Sequence, residues 1–174
     1  TVMGNGVSTE RAPASRLAPV AAGLVWQDTP GLLSDVELCE GRVCFTAGGK
    51  KGNALLAVYD AGGKVLWSWH IWATDYDPDA EGGTVDFNGY SMMTCNLGAL
   101  AADNSSVENI LASYGLYYQW GRKDPFIGPS SYNAANGASA SMYNGGGSRV
   151  YLRTAASSAE RSAAGSASPC STAS

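Results

Sequence analysis

Apolar and polar positions fall into short blocks along the first two-thirds of the chain and then give way to small residues. Leu24-Val25-Trp26 is an apolar block closed by Asp28-Thr29-Pro30-Gly31, so a short strand is expected there. Residues 36–39 and 43–46 are apolar runs separated by a short gap. Residues 54–59 and 65–72 flank Asp60-Ala61-Gly62-Gly63-Lys64. Each pair predicts an antiparallel hairpin. Within residues 65–72, Val65, Trp67, Trp69 and Ile71 fall on one face, and Leu66, Ser68, His70 and Trp72 on the other. Both faces are largely apolar, which predicts a central strand covered on both sides, with Trp67 and Trp69 anchoring one face of the core. β character resumes at Val85, Phe87 and residues 90–94.

One helix stands out. Ser105-Ser106-Val107-Glu108 reads as a capping box, with Ser105 as N-cap and Glu108 at the third helical position. Val107, Ile110, Leu111 and Tyr114 form one apolar stripe, and Gly115 stands at the C′ position. A strand is expected to follow over residues 116–120, ended by Pro125. In this reading Trp120 belongs to the core, Arg122-Lys123-Asp124 fixes the turn that leaves it, and Phe126 pins the exit. Beyond that point most residues are Ala, Ser or Gly, and only Val150-Tyr151-Leu152 looks like a strand.

Length and composition narrow the class. A chain of 174 residues is one domain of ordinary size. Residues 1–19 lack periodicity and read as an extended lead or linker; residues 20–174 read as a single domain with a low-complexity part over 130–174. Hydrophobic content of 45% and charged content of 15% describe a globular chain rather than a disordered one. The net charge of −4 provides no basic footprint for nucleic acid. No apolar run reaches the length of a membrane span. No signal peptide is visible, and the polar start at Thr1 fits a processed or trimmed product. Little Lys and abundant Ser, Gly, Asn and Tyr suit a secreted protein.

The cysteines are Cys39, Cys44, Cys95 and Cys170. A type II′ turn centred on Gly41-Arg42 would set Cys39 directly opposite Cys44, with Cα atoms about 4.5 Å apart. That spacing reaches disulfide range, and two free thiols are the other reading. Zinc is not expected, since the spacings are wrong and His70 is the one histidine. His70 lies in an apolar run without a nucleophile elbow, and Gly145-Gly146-Gly147 lacks a strand-to-helix setting, so catalysis is not expected. Asp75, Asp77, Asp79 and Glu81 alternate, and their oxygens suit calcium. Pro78 interrupts that loop and flanking helices are missing, so a solvated acidic turn is the plainer reading. The Tyr, Ser, Gly and Asn of the last third match the composition of evolved binding loops, and equally that of a flexible low-complexity tail.

Several strings together resemble a known group. These are Gly52-Asn53-Ala54-Leu55-Leu56-Ala57-Val58-Tyr59-Asp60, Val65-Leu66-Trp67-Ser68-Trp69-His70-Ile71-Trp72, Asn96-Leu97-Gly98-Ala99, and Gly115-Leu116-Tyr117-Tyr118-Gln119-Trp120-Gly121-Arg122-Lys123-Asp124-Pro125-Phe126. They resemble surface proteins of gut Bacteroidetes that carry a Fibrobacter succinogenes major paralogous-type domain, including fimbrial-tip adhesins, over residues 24–126. The resemblance implies an α+β, C-type-lectin-like fold with a small twisted antiparallel sheet, one or two helices and long loops. It implies an extracellular place on the bacterial surface or at a pilus tip.

Some proteins of this kind are variable proteins of diversity-generating retroelements, whose C-terminal part is diversified for binding. On that reading Tyr132, Asn133, Asn136, Ser139, Ser141, Tyr143, Asn144 and Tyr151 are contact residues for a host or bacterial surface protein or glycan. Thr94-Cys95 stands where the group usually has an acidic-basic pair, and the ending lacks the usual apolar strand. Cys170 can pair with Cys95 and tie that ending to the core. Two other readings stay open: a pilin-like subunit that exchanges its N-terminal lead as a strand with other pilus subunits, and an enzyme related to formylglycine-generating enzymes.

Overall fold

The computed structural model describes residues 17–128 and 141–150. In chain order the strands are β1 (Ala21–Gln27), β2 (Leu33–Cys39), β3 (Arg42–Ala47), β4 (Gly52–Tyr59), β5 (Val65–Ala73), β6 (Thr84–Phe87) and β7 (Tyr90–Met93). Helix α1 (Val107–Ser113) follows, then the two-residue strands β8 (Met142–Tyr143) and β9 (Arg149–Val150). The main sheet has the order β5-β4-β1-β8-β9, and all its pairings are antiparallel. β2 with β3, and β6 with β7, form separate hairpins. The architecture is α+β: antiparallel sheets with one short helix.

The core belongs to β4. Seven of its eight residues are buried, as expected for a strand flanked on both edges and covered on both faces. On one side Leu55 and Ala57 meet Trp26, Leu116, Ile127 and Met142. On the other, Ala54 and Leu56 meet Leu32 and Leu33, with Val36 and Val43 of the β2–β3 hairpin packed against them. Each fully buried Leu here stabilises the fold by about 1.5–3 kcal/mol.

The central position expected for residues 65–72 is therefore corrected. β5 is an edge strand, and Trp69 is 38% exposed. Its second face is covered by polar partners rather than by a core: Ser68 by Asp124, His70 by Asn53, and the Trp72 indole by the Ala99 carbonyl.

The first hairpin forms as expected but in a different register. Cys39 opposes Arg42, and Cys44 opposes Glu37. The turn residues are Glu40 and Gly41, both at positive φ (49° and 77°), which is the type I′ pattern that matches strand twist. Cys39 and Cys44 become diagonal neighbours on one face rather than a direct pair, and both thiols are free. The bridge expected between them is absent from this structure. Cys95 is also a free thiol, and its suggested partner Cys170 lies outside the described residues.

Helix α1 begins one residue later than expected. Ser106 is the N-cap, and its hydroxyl accepts from the Asn109 N–H. Ser105 is drawn instead to Asp103, whose Oδ1 accepts from its N–H and its hydroxyl. None of the helix residues is fully buried, so the expected stripe covers little core. Gly115 follows the cap residue Tyr114 at φ +70°, and a β-carbon there would sit 2.5 Å from the Leu97 carbonyl oxygen. The close fit lets the helix exit dock on Asn96-Leu97-Gly98-Ala99: the Leu116 N–H donates to Leu97, and the Leu100 N–H to Ala112.

Val20 donates its N–H to the Tyr59 carbonyl just ahead of β1. Among the described residues no helix is long and apolar enough to cross a membrane.

Candidate ligand-contact surface

Residues 116–127 do not continue as the expected strand. Leu116 and Ile127 are buried against the sheet, and between them the chain leaves and returns through a single antiparallel bridge. The Tyr117 N–H donates to the Phe126 carbonyl at 3.0 Å, and the reverse bond is 2.8 Å. The tip is closed by the Arg122 N–H on the Gln119 carbonyl, with Gly121 at φ +76°. Trp120 at this tip is fully exposed, and Tyr117 and Tyr118 of the same loop and Tyr114 at the end of α1 are exposed in part. The placement of Trp120 in the core is thus overturned. A Trp followed by a turn Gly sits where the chain reverses, and a reversal projects its side chain outward. That Trp-Gly step is the signal in the sequence that marked the site.

The root of the loop is fixed. Asp124 and Pro125 are fully buried. The Ser68 hydroxyl contacts both Asp124 oxygens, at 2.7 and 2.9 Å. The Lys123 ammonium bonds to the Ser68 carbonyl at 2.8 Å, contacts the Ser68 hydroxyl and Asp124, and lies 5.0 Å from the centre of the Trp67 ring. The Arg122 guanidinium lies 4.2 Å over the Phe126 ring. The Arg122-Lys123-Asp124 cluster does the turn-fixing work expected of it. Chemically the loop offers broad aromatic faces with polar edges on a preorganised base, the combination that concentrates binding energy.

The expected contact residues behave differently. Ser141, Tyr143 and Asn144 are each only partly exposed. The Ser141 hydroxyl is held by the Arg149 guanidinium. Tyr143 pairs with Gln27 and Arg149. Asn144 builds the β8–β9 turn: its Oδ1 accepts from the Ser148 N–H at 2.9 Å, and its carbonyl accepts from the Gly147 N–H. That side chain is spent on the turn rather than free for a ligand. Tyr132, Asn133, Asn136, Ser139 and Tyr151 lie outside the described residues.

The acidic loop does not gather its carboxylates. Asp75 pairs with Lys51, and Asp77 accepts from the Asp79 backbone N–H. Among the described residues no three His, Cys, Asp or Glu side chains converge to hold a metal. The loop instead braces the next hairpin. Tyr76 stacks on Trp72 and donates its hydroxyl to the Gly83 carbonyl.

His70 is built into a polar network. The Asn53 amide donates to Asp28 at 2.9 Å and to the Gly98 carbonyl at 2.9 Å, so its oxygen accepts from the His70 Nε2–H. Burial lowers the His70 pKa below 6.5, with Asp28 and Asp124 opposing that shift. The ring is consequently a neutral structural donor. Two open clefts, of about 310 and 200 Å³, share a wall at Cys95, Ala101 and Ala102. Burial pushes the Cys95 thiol pKa up, which disfavours the thiolate there.

No family model, no curated protein and no solved structure matches this chain.

Proposed function

We propose that this chain is a non-catalytic binding or adhesion module of a bacterial cell surface, of the C-type-lectin-like kind, that engages a surface protein or glycan of a host or another bacterium. The observation that carries this reading is the fully exposed Trp120 at the tip of a loop whose root, Asp124 and Pro125, is fully buried. A fixed base limits the entropy lost when a ligand is bound. Trp120, Tyr117 and Tyr118 form the described part of the contact set. Tyr132, Asn133, Asn136, Ser139 and Tyr151 extend it, and a near-repeat of the gene's 3′ end beside a reverse transcriptase would support their diversification. The strand-exchange reading has less support at β5, because Lys123 already occupies the Ser68 carbonyl of that edge strand.

The test is attachment of the purified protein to host cells and to an array of glycans and surface proteins. Trp120→Ala combined with Tyr118→Ala should reduce binding at least about tenfold, the effect of losing a hot spot of ~1.4 kcal/mol or more. Thermal unfolding should shift little, since Trp120 is fully exposed and Tyr118 nearly half exposed. Binding that survives the double substitution would remove this loop from the contact surface.

A further inference from the structure

The β6–β7 hairpin presents a second surface, unrelated to the aromatic loop. Its register sets Val85 opposite Met92 and Phe87 opposite Tyr90. Directly opposed residues share a face, so these four side chains form one apolar strip. They are 53%, 52%, 69% and 72% exposed, in that order. Thr84, Asp86, Ser91 and Met93 take the reverse face. No residue of either strand is buried. The hairpin is held at its base, where Thr94 donates its N–H to the Gly83 carbonyl and its hydroxyl to Gly82. An isolated two-stranded hairpin is marginal in water, and one with a bare apolar face lacks the packing that would steady it.

We infer that this strip is the contact face of a homodimer, two copies meeting across a two-fold axis. The area fits a weak, reversible contact: at about 150–250 Å² for each aromatic side chain, scaled for exposure and with Val85 and Met92 added, one copy offers at most about 450 Å². Two copies then bury at most about 900 Å², below what a stable dimer buries and in the range of weak, transient interfaces. The strip carries no charge, because Asp86 lies on the reverse face. It is also graded in size. The bulky pair Phe87 and Tyr90 adjoins the turn, and the smaller pair Val85 and Met92 lies toward the base.

An antiparallel two-fold lays the large pair of each copy on the small pair of the other, which is the self-complementarity an isologous interface needs. It also sets the neutral Asn88-Gly89 tip, rather than a second acidic loop, against the end where residues 77–81 lie. The chain's own remaining segments are poor competitors for this strip. Residues 1–16, 129–140 and 151–174 contain only Val2, Met3, Val7, Tyr132, Tyr151 and Leu152 as large apolar side chains.

Analytical ultracentrifugation of the full chain up to about 200 µM tests this. The expected result is a reversible dimer whose Kd rises at least about tenfold in Phe87→Ser/Tyr90→Ser and is unchanged in Asp86→Asn. Both sets of side chains are exposed, so circular dichroism should report an intact fold throughout. A chain that stays monomeric over this range overturns the inference. So does a dimer that persists in the double variant. Hydroxyl-radical footprinting adds a third reading: Phe87 and Tyr90 protected in a monomer would mean that another segment of the chain covers the strip, which also overturns it.

Discussion

Asp124 shows how much one side chain can hold. It is fully buried, touches the Ser68 hydroxyl with both oxygens, and contacts the Lys123 ammonium at the root of the aromatic loop. Asp124→Ala should cost about 2–3 kcal/mol in urea unfolding, because it leaves a buried hydroxyl and a partly desolvated ammonium without their acceptor. His70 gives a pH signature. Its folded pKa lies below the ordinary 6.5, so the unfolded chain binds more protons in the window just below that value. Stability is full above 6.5 and is lost as pH falls through the folded pKa. Between pH 7.5 and 5 the urea midpoint should fall less in His70→Gln than in the parent chain. At Cys39, the hydrogen bond with Cys44, with desolvation and Glu37 adding to it, pushes the thiol from 9.0 up to about 12. Iodoacetamide near pH 8.5 should therefore label Cys39 far more slowly than an ordinary thiol, as peptide mass spectrometry would show. Fast labelling would remove the thiol contact from the account.

The individual elements were legible where the pattern was local. The runs that became β1 to β7 stand out as short apolar blocks between Gly-, Asp- and Pro-rich turns, and Gly115 marks the end of α1. What alternation cannot report is which strands are neighbours. β5 has two largely apolar faces in sequence, yet the sheet places it at an edge and fills one face with hydrogen-bonded polar groups. The cap of α1 moved by one residue because Asp103 competes for Ser105. Ser106→Ala should consequently cost about 1 kcal/mol, the usual worth of an N-cap. Ser105→Ala should cost less, and thermal unfolding of the two variants compares them directly. A larger loss at Ser105 would restore the earlier cap. Gly115→Ala should destabilise by more than 1 kcal/mol, since it adds a β-carbon at positive φ against the Leu97 carbonyl.

At the scale of the whole molecule, the candidate surface was the least legible part. Aromatic density drew attention to residues 115–126, but composition does not say whether a large apolar residue packs inward or projects. Leu116 does the first and Trp120 the second, four positions apart. Asn144 has the composition of a contact residue and the geometry of a turn residue, because its short amide can mimic backbone. Gln27 gave no signal at all, yet it is a buried joint. Its side chain accepts from the Leu33 N–H at 2.9 Å and donates to the Asn144 carbonyl, so it links the start of β2 to the turn after β8. Gln27→Leu should cost about 1–3 kcal/mol by stranding those two backbone groups, measurable as a lower urea midpoint with an unchanged slope.

The Gln27 joint also has a consequence for the growing chain. β4 pairs along nearly the whole of β1, but among the described residues the other edge of β1 is met only at Gln27, by Tyr143, and Gln27 and Asn144 are 117 residues apart. Until that segment has been made, the Gln27 end of β1 lacks its strand partner and the Gln27 amide its carbonyl acceptor. Unpaired edges recruit other strands. The nascent chain is therefore open to misassembly at this end of β1 until residues 142–144 have been made, and a truncation just before residue 142 should aggregate more readily than the parent chain.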